Sequence, residues 1–148
     1  MARFIGRDED EARALLAGAG VRILRMDDAD AEEVLTSVLG AESAERGRIV
    51  AEPPADEAAA GSGMGAWHVN EVAEYETVLD GEGVVEFITA DGAVSVLLTG
   101  GDVMVVERAE HRYRPLTAQS WVLRFGGPAG ADLVASETGR ESGPWPLP

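Results

Sequence analysis

Seven short β-prone runs, spaced by glycine-rich turns, fill the second half of the chain. They read AWHVN (66–70), EYETVL (74–79), VVEFIT (84–89), AVSVLLT (93–99), DVMVVE (102–107), HRYRP (111–115) and SWVLRF (120–125). Between them lie Gly81-Glu82-Gly83, Ala90-Asp91-Gly92, Gly100-Gly101 and Gly126-Gly127-Pro128. Runs this short cannot cover a helix-based core. Glycine turns every 8–12 residues instead predict an antiparallel sandwich or barrel. Asp91-Gly92 is expected to form a two-residue hairpin turn.

The first 52 residues read differently. Asp8 is placed to cap a helix in which Ala12, Leu15, Leu16 and Ala19 share a face, with Gly20 ending it. The acidic run 8–11 suits the positive end of that helix dipole. Val21–Arg25 is a strand candidate. Asp30 then opens a second helix with Ala31, Val34, Leu35 and Val38 on one face, stopped by Gly40, and Arg48–Glu52 is a further strand candidate. Pro53–Gly65 is rich in Pro, Ala and Gly without periodicity and is expected to be a loop. The prolines at 144, 146 and 148 forbid regular structure in the last five residues, leaving a tail anchored by Trp145 or disordered. The expected organisation is one structural domain: an N-terminal helical/strand subdomain (1–52), a loop (53–65), a barrel (66–135) and a C-terminal tail (136–148).

Composition narrows the chemistry. The 148 residues contain no cysteine, which removes disulfides, thiolate ligands and a cysteine nucleophile. All 12 basic residues are arginine, so no lysine Schiff base can form. A net charge of −15 repels phosphate backbones and anionic membranes, and no nucleic-acid or membrane partner is expected. No apolar run approaches the ~18 residues of a membrane span, and a cytoplasmic location is expected. Phosphate loops, metalloprotease helices and nucleophile elbows do not occur in the sequence.

The chain has two histidines, His68 and His111, both on strand-like runs. Side chains two apart on a strand share a face, so His68 points with Asn70, Glu74 with Glu76, and His111 with Tyr113. In a closed barrel His68, Glu74 and His111 can meet inside. Two imidazoles and a carboxylate form a facial triad that leaves coordination positions open on a divalent metal, typically Fe(II).

The spacing His68-x-Asn70-x3-Glu74-x6-Gly81 resembles the first motif of the cupins, and GDVMVVERAEH (101–111) resembles the second. The order of parts is similar to one cupin family, the acireductone dioxygenases, with LLAGAGVRILRMDD (15–28) and LRFGGPAG (123–130) in corresponding places. The resemblance spans roughly residues 8–135. It implies a mainly β, jelly-roll cupin barrel with a small helical N-terminal subdomain. It also implies one divalent metal on His68, Glu74 and His111, with Fe(II) first and Ni, Mn or Zn as alternatives. The activity implied is that of a dioxygenase acting on a small oxygenated substrate, and a homodimer is the expected assembly.

Four departures bear on that activity. Asn70 stands where the motif has a second histidine, which suits a weak ligand or a group orienting a water or substrate. The second motif is one residue short, with ERA (107–109) replacing its Pro-x-Gly turn. Glu76 stands where the family tends to carry a substrate-facing arginine, and could act as general acid or base. The run before the ligand glutamate is EVA (71–73). Metal-assisted isomerisation, cyclisation or dehydration in a biosynthetic pathway, and a non-catalytic ligand-binding role, are therefore alternatives. Tyr113, Phe87, Trp121 and Trp67 are candidate pocket walls, and Arg112, Arg114 and Arg124 candidate clamps for an anionic substrate.

Overall fold

The computed structural model describes residues 1–40, 42–128 and 130–148; Ala129, within the segment 123–130, lies outside the described residues. Among the described residues eleven strands run in chain order. They are β1 (Arg3–Ile5), β2 (Val21–Arg25), β3 (Ser43–Ala51), β4 (His68–Asn70), β5 (Glu74–Asp80) and β6 (Glu82–Thr89), followed by β7 (Gly92–Thr99), β8 (Asp102–Val106), β9 (His111–Pro115), β10 (Gln119–Gly126) and β11 (Ala135–Glu137). They form two antiparallel sheets, ordered β1-β7-β6-β9-β4-β11 and β2-β8-β5-β10-β3. Among the described residues no helix is long and apolar enough to cross a membrane.

Alternation along the central strands decides what lies between the sheets. Val78, Val85, Phe87, Val94, Val96, Leu98 and Met104 turn inward and make the main core. Helix α1 (Glu9–Gly18) adds Ala12 and Leu16 to it. Its N-cap Asp8 accepts a hydrogen bond from the Glu11 amide at 3.2 Å, as the sequence led us to expect. Helix α2 (Ala31–Leu39) covers the other face of the second sheet, packing Val34, Leu35 and Leu39 against Tyr75, Val103 and Val105. Asp30 holds its N-cap position without a side-chain hydrogen bond.

The first 52 residues contribute strands to both sheets: β1 pairs with β7, β2 with β8 and β3 with β10. The exposed edges of both sheets recruit them. Other expectations need correcting. The segment 53–65 contains a short helix α3 (Glu57–Ala60), capped by Asp56, and a 3-10 turn at Gly63–Gly65. The β6–β7 turn closes between Thr89 and Gly92, and Gly92 alone has left-handed backbone, at φ 82°. That matches a type I turn followed by a bulge glycine better than a two-residue hairpin turn. The tail is anchored: β11 pairs with β4, and Trp145 lies on Arg112.

Gly81, the glycine of the first motif, has φ 76°, and a Cβ there would sit 2.3 Å from the Ala118 carbonyl oxygen. Gly81→Ala therefore combines left-handed strain with a backbone clash and is expected to cost about 2–4 kcal/mol in a denaturant titration. Gly47, also at φ 76° but with nothing within 4 Å, is the control. Its alanine variant should lose only about 1–2 kcal/mol. Equal losses at the two positions would contradict the clash.

Candidate metal centre

The two sheets each contribute half of one site. β9 carries His111 and β4 carries His68, and the single ladder pair between these strands is His68 with His111. Their rings lie 4.4 Å apart between centroids. From the facing sheet, β5 presents Glu74 and Glu76. Glu74 lies between Val106 and Phe125, and Glu76 between Met104 and Leu123, so both carboxylates have apolar flanks.

Both imidazoles are held by the same device. His68 Nδ1 lies 2.8 Å from the Ala66 carbonyl, and His111 Nδ1 2.8 Å from the Ala109 carbonyl. A ring whose Nδ1–H donates to a carbonyl presents Nε2 as a lone pair, the arrangement usual for metal-ligating histidine. His111 Nε2 lies 3.1 Å from Glu74 Oε1. The pair lacks hydrogen-bond alignment, and Oε1 is buried with no hydrogen-bond partner. Two donors on one metal at bonds of about 2.1 Å are themselves about 3.0–3.4 Å apart. An orphaned carboxylate oxygen and an imidazole nitrogen at that spacing fit a shared cation. Among the described residues no three such side chains stand as a finished coordination set. The His68 ring lies alongside that pair.

Electrostatics follow from this crowding. Burial and then the neighbouring His111 hold His68 below its ordinary pKa. Burial alone would lower His111 too, but contact with Glu74 carries it above the usual histidine value. Burial, reinforced by Glu74, pushes Glu76 well above the carboxylate range. Burial and then Glu76 raise the Tyr113 hydroxyl. Without metal, the folded chain therefore keeps protons that the unfolded chain releases. The stability these protons confer is full below about pH 4.5 for Glu76 and 6.5 for His111, and is lost as pH rises through the raised values. Chelator-treated Glu76→Gln should melt higher than the parent protein above neutral pH, with the gap shrinking in acid. A gap that widens in acid would contradict this.

A cavity of about 430 Å³ opens over the pair. His68, Asn70, Glu74, Glu76, His111, Tyr113 and Trp121 all line it. Phe87, Trp67, Arg112, Arg114 and Arg124 are not among its lining residues. Phe87 is fully buried and backs the His111 ring, with centroids 5.7 Å apart, instead of facing the cavity. Arg124 falls between Leu123 and Phe125, so its side chain takes the opposite face, across from Tyr75 and helix α2. Trp67 turns outward onto Arg112. Met104, Leu123 and Ile49 are walls the sequence reading missed. The first two follow from the register beside Glu76, but Ile49 needs the β3–β10 pairing, which no local pattern announces.

No protein-family model matches the sequence, and no curated protein matches it. Solved structures do. An acireductone dioxygenase from Bacillus anthracis, with a cadmium ion in its active centre, superposes with a TM-score of 0.58. The match covers 84% of this chain and 91% of that one at 14% identity. This chain has the cupin fold. A variant of the oxalate decarboxylase from Bacillus subtilis superposes with a TM-score of 0.50 at 15% identity over 80% of this chain. This chain spans only 27% of that longer one. At such identities the likeness establishes the fold, and the site rests on its own geometry.

Proposed function

We propose that this cupin is a metal-dependent enzyme acting on a small oxygenated substrate of enediol or β-dicarbonyl type. His68, Glu74 and His111 would hold the ion. The observation that carries this reading is the buried, unpartnered Glu74 Oε1 lying 3.1 Å from His111 Nε2 at the floor of the cavity. A divalent ion there, Fe(II) first, supplies Lewis acidity and open positions for substrate oxygens. Asn70, buried on the His68 face, offers an amide to a substrate oxygen or a water. Tyr113 and Trp121 exclude water along one wall.

Acireductone-dioxygenase-like oxygen chemistry is the first reading. A second, non-redox reading of isomerisation, cyclisation or dehydration is favoured by Glu76. Its carboxyl lies two residues past Glu74 on the cavity-facing side of β5, where it can move a proton on a bound substrate. Metal-loaded protein incubated with candidate enediols and β-dicarbonyls in an oxygen electrode separates the two. Oxygen consumption stoichiometric with substrate loss supports the dioxygenase. Substrate loss without oxygen uptake, lowered at least about 100-fold by Glu76→Gln, supports proton transfer. No turnover by metal-loaded protein on either class contradicts both.

A further inference from the structure

The guanidinium groups that could receive an anionic substrate are engaged elsewhere. Arg112 is committed to Glu86 on the far side of its strand. Arg114 binds Glu57 of α3 at 3.1 Å, and Arg124 faces α2. Among the described residues lining the cavity, Arg46 is the one guanidinium, and it is exposed at the mouth. The cavity holds carboxyl groups instead: Glu74 and Glu76 at the floor and Glu137 at the rim. A divalent ion together with ionised Glu74 leaves one positive charge, which a single enolate would neutralise. A second anionic group on the substrate would be desolvated in the cavity without a buried cationic partner.

The walls point the same way. Tyr113 and Trp121 pack ring to ring at 5.6 Å and present a continuous aromatic surface to the cavity. Met104 and Leu123 extend it beside Glu76, both almost fully buried. A volume of about 430 Å³ lies in the range of about 300–1,000 Å³ that accepts drug-sized molecules, well above what a three- or four-carbon enediol fills.

Resting on the metal-dependent reading above, we infer that the substrate is an uncharged molecule with an aromatic or polycyclic apolar body and one enolisable β-dicarbonyl or enol group. Carboxylated and phosphorylated substrates are disfavoured because, among the described residues, no buried guanidinium lines the cavity. The apolar body lies on Trp121 and Tyr113 while the oxygens reach the floor.

Three probes test this by calorimetric titration of the full chain, with metal content measured on the same sample. Benzoylacetone carries one ring, a β-diketone and no fixed charge. 2,4-Dioxo-4-phenylbutanoate replaces its methyl with a carboxylate, and acetylacetone lacks the ring. A bare metal ion favours the carboxylated chelator, so the reverse preference must come from the protein walls. The expected result is benzoylacetone binding at least tenfold more tightly than either other probe. Trp121→Ala is expected to reduce that advantage over acetylacetone about tenfold while metal content stays constant. Metal-loaded protein that binds the carboxylated probe as tightly, shows no preference for the ring, or binds none of the three overturns this inference while leaving the metal reading intact. Protein that retains no metal and binds no probe overturns the metal reading, and this inference with it.

Discussion

Protein carrying His111→Ala is expected to show no thermal shift on adding Fe(II), Ni, Mn or Zn, whereas the parent protein gains about 5–11 °C. The size follows from linkage. An ion at 100 times its dissociation constant stabilises the state it binds by about 2.7 kcal/mol, and a chain of this length gains roughly 2–4 °C per kcal/mol. His111 is central because it touches both other donors: its Nε2 faces Glu74 and its ring lies beside His68. Removing the imidazole takes away the nitrogen that lies 3.1 Å from Glu74 Oε1. Glu74→Gln should abolish the shift as well, by removing the charge that attracts the cation. An equal shift in parent and variants would place any metal elsewhere.

Arg112→Ala is expected to cost about 3–5 kcal/mol, the range found when a buried ion pair loses one member. The side chains of Arg112 and Glu86 are only 3% and 6% exposed. Glu86 accepts from Arg112 Nε at 2.8 Å and from Ser95 Oγ at 2.9 Å, so losing the guanidinium strands a desolvated carboxylate. The same guanidinium donates to the Gly143 and Pro144 carbonyls and is sandwiched between Trp67 and Trp145, at 4.9 and 3.9 Å from their ring centroids. Its loss therefore also releases the C-terminal tail. Urea denaturation gives the energy, and limited proteolysis should show new cleavage after residue 138. The double variant Arg112→Met with Glu86→Leu should recover much of the stability but not the protection of the tail. Arg48→Ala, which breaks an exposed pair with Asp80, is the control and should change stability by no more than about 0.5 kcal/mol.

Arg112 also shows where the sequence stops being informative. With His111 and Tyr113 turned inward, alternation sends Arg112 outward, and an outward arginine normally meets water. Here a segment some thirty residues downstream folds over it, and no local pattern in HRYRP encodes that cover. The long strands were legible because their glycine turns and apolar alternation are local. Val21–Arg25 and His111–Pro115 match their expected bounds. The strands β1 and β11 were not, because three residues carry no periodicity and their pairing is supplied by the edges of β7 and β4. Helix α3 was hidden by the Ala- and Pro-rich composition of its segment, although Asp56 accepting from the Ala59 amide is an ordinary cap.

The site divides in the same way. His68, Glu74 and His111 could be singled out by spacing and by the scarcity of histidine, and all three line one cavity. The choice of Phe87 and Arg124 failed for a single reason. Which face of a strand looks into a cavity depends on what packs behind it. The core fills the end of the sandwich near Phe87, and α2 claims the face that carries Arg124. Arg46 and Ile49 belong to β3, a strand whose place beside β10 is a long-range pairing.

The proposed metal centre places one divalent ion on His68, Glu74 and His111. Metal-edge X-ray absorption of the full chain, loaded with one equivalent of Fe(II) or Ni and freed of excess, tests it most directly. The expected result is one tightly held ion per chain in a nitrogen and oxygen shell with scattering from two imidazoles, falling to one in His68→Ala. A chain that retains no metal, or an ion whose spectrum shows no imidazole and does not change in that variant, would contradict it.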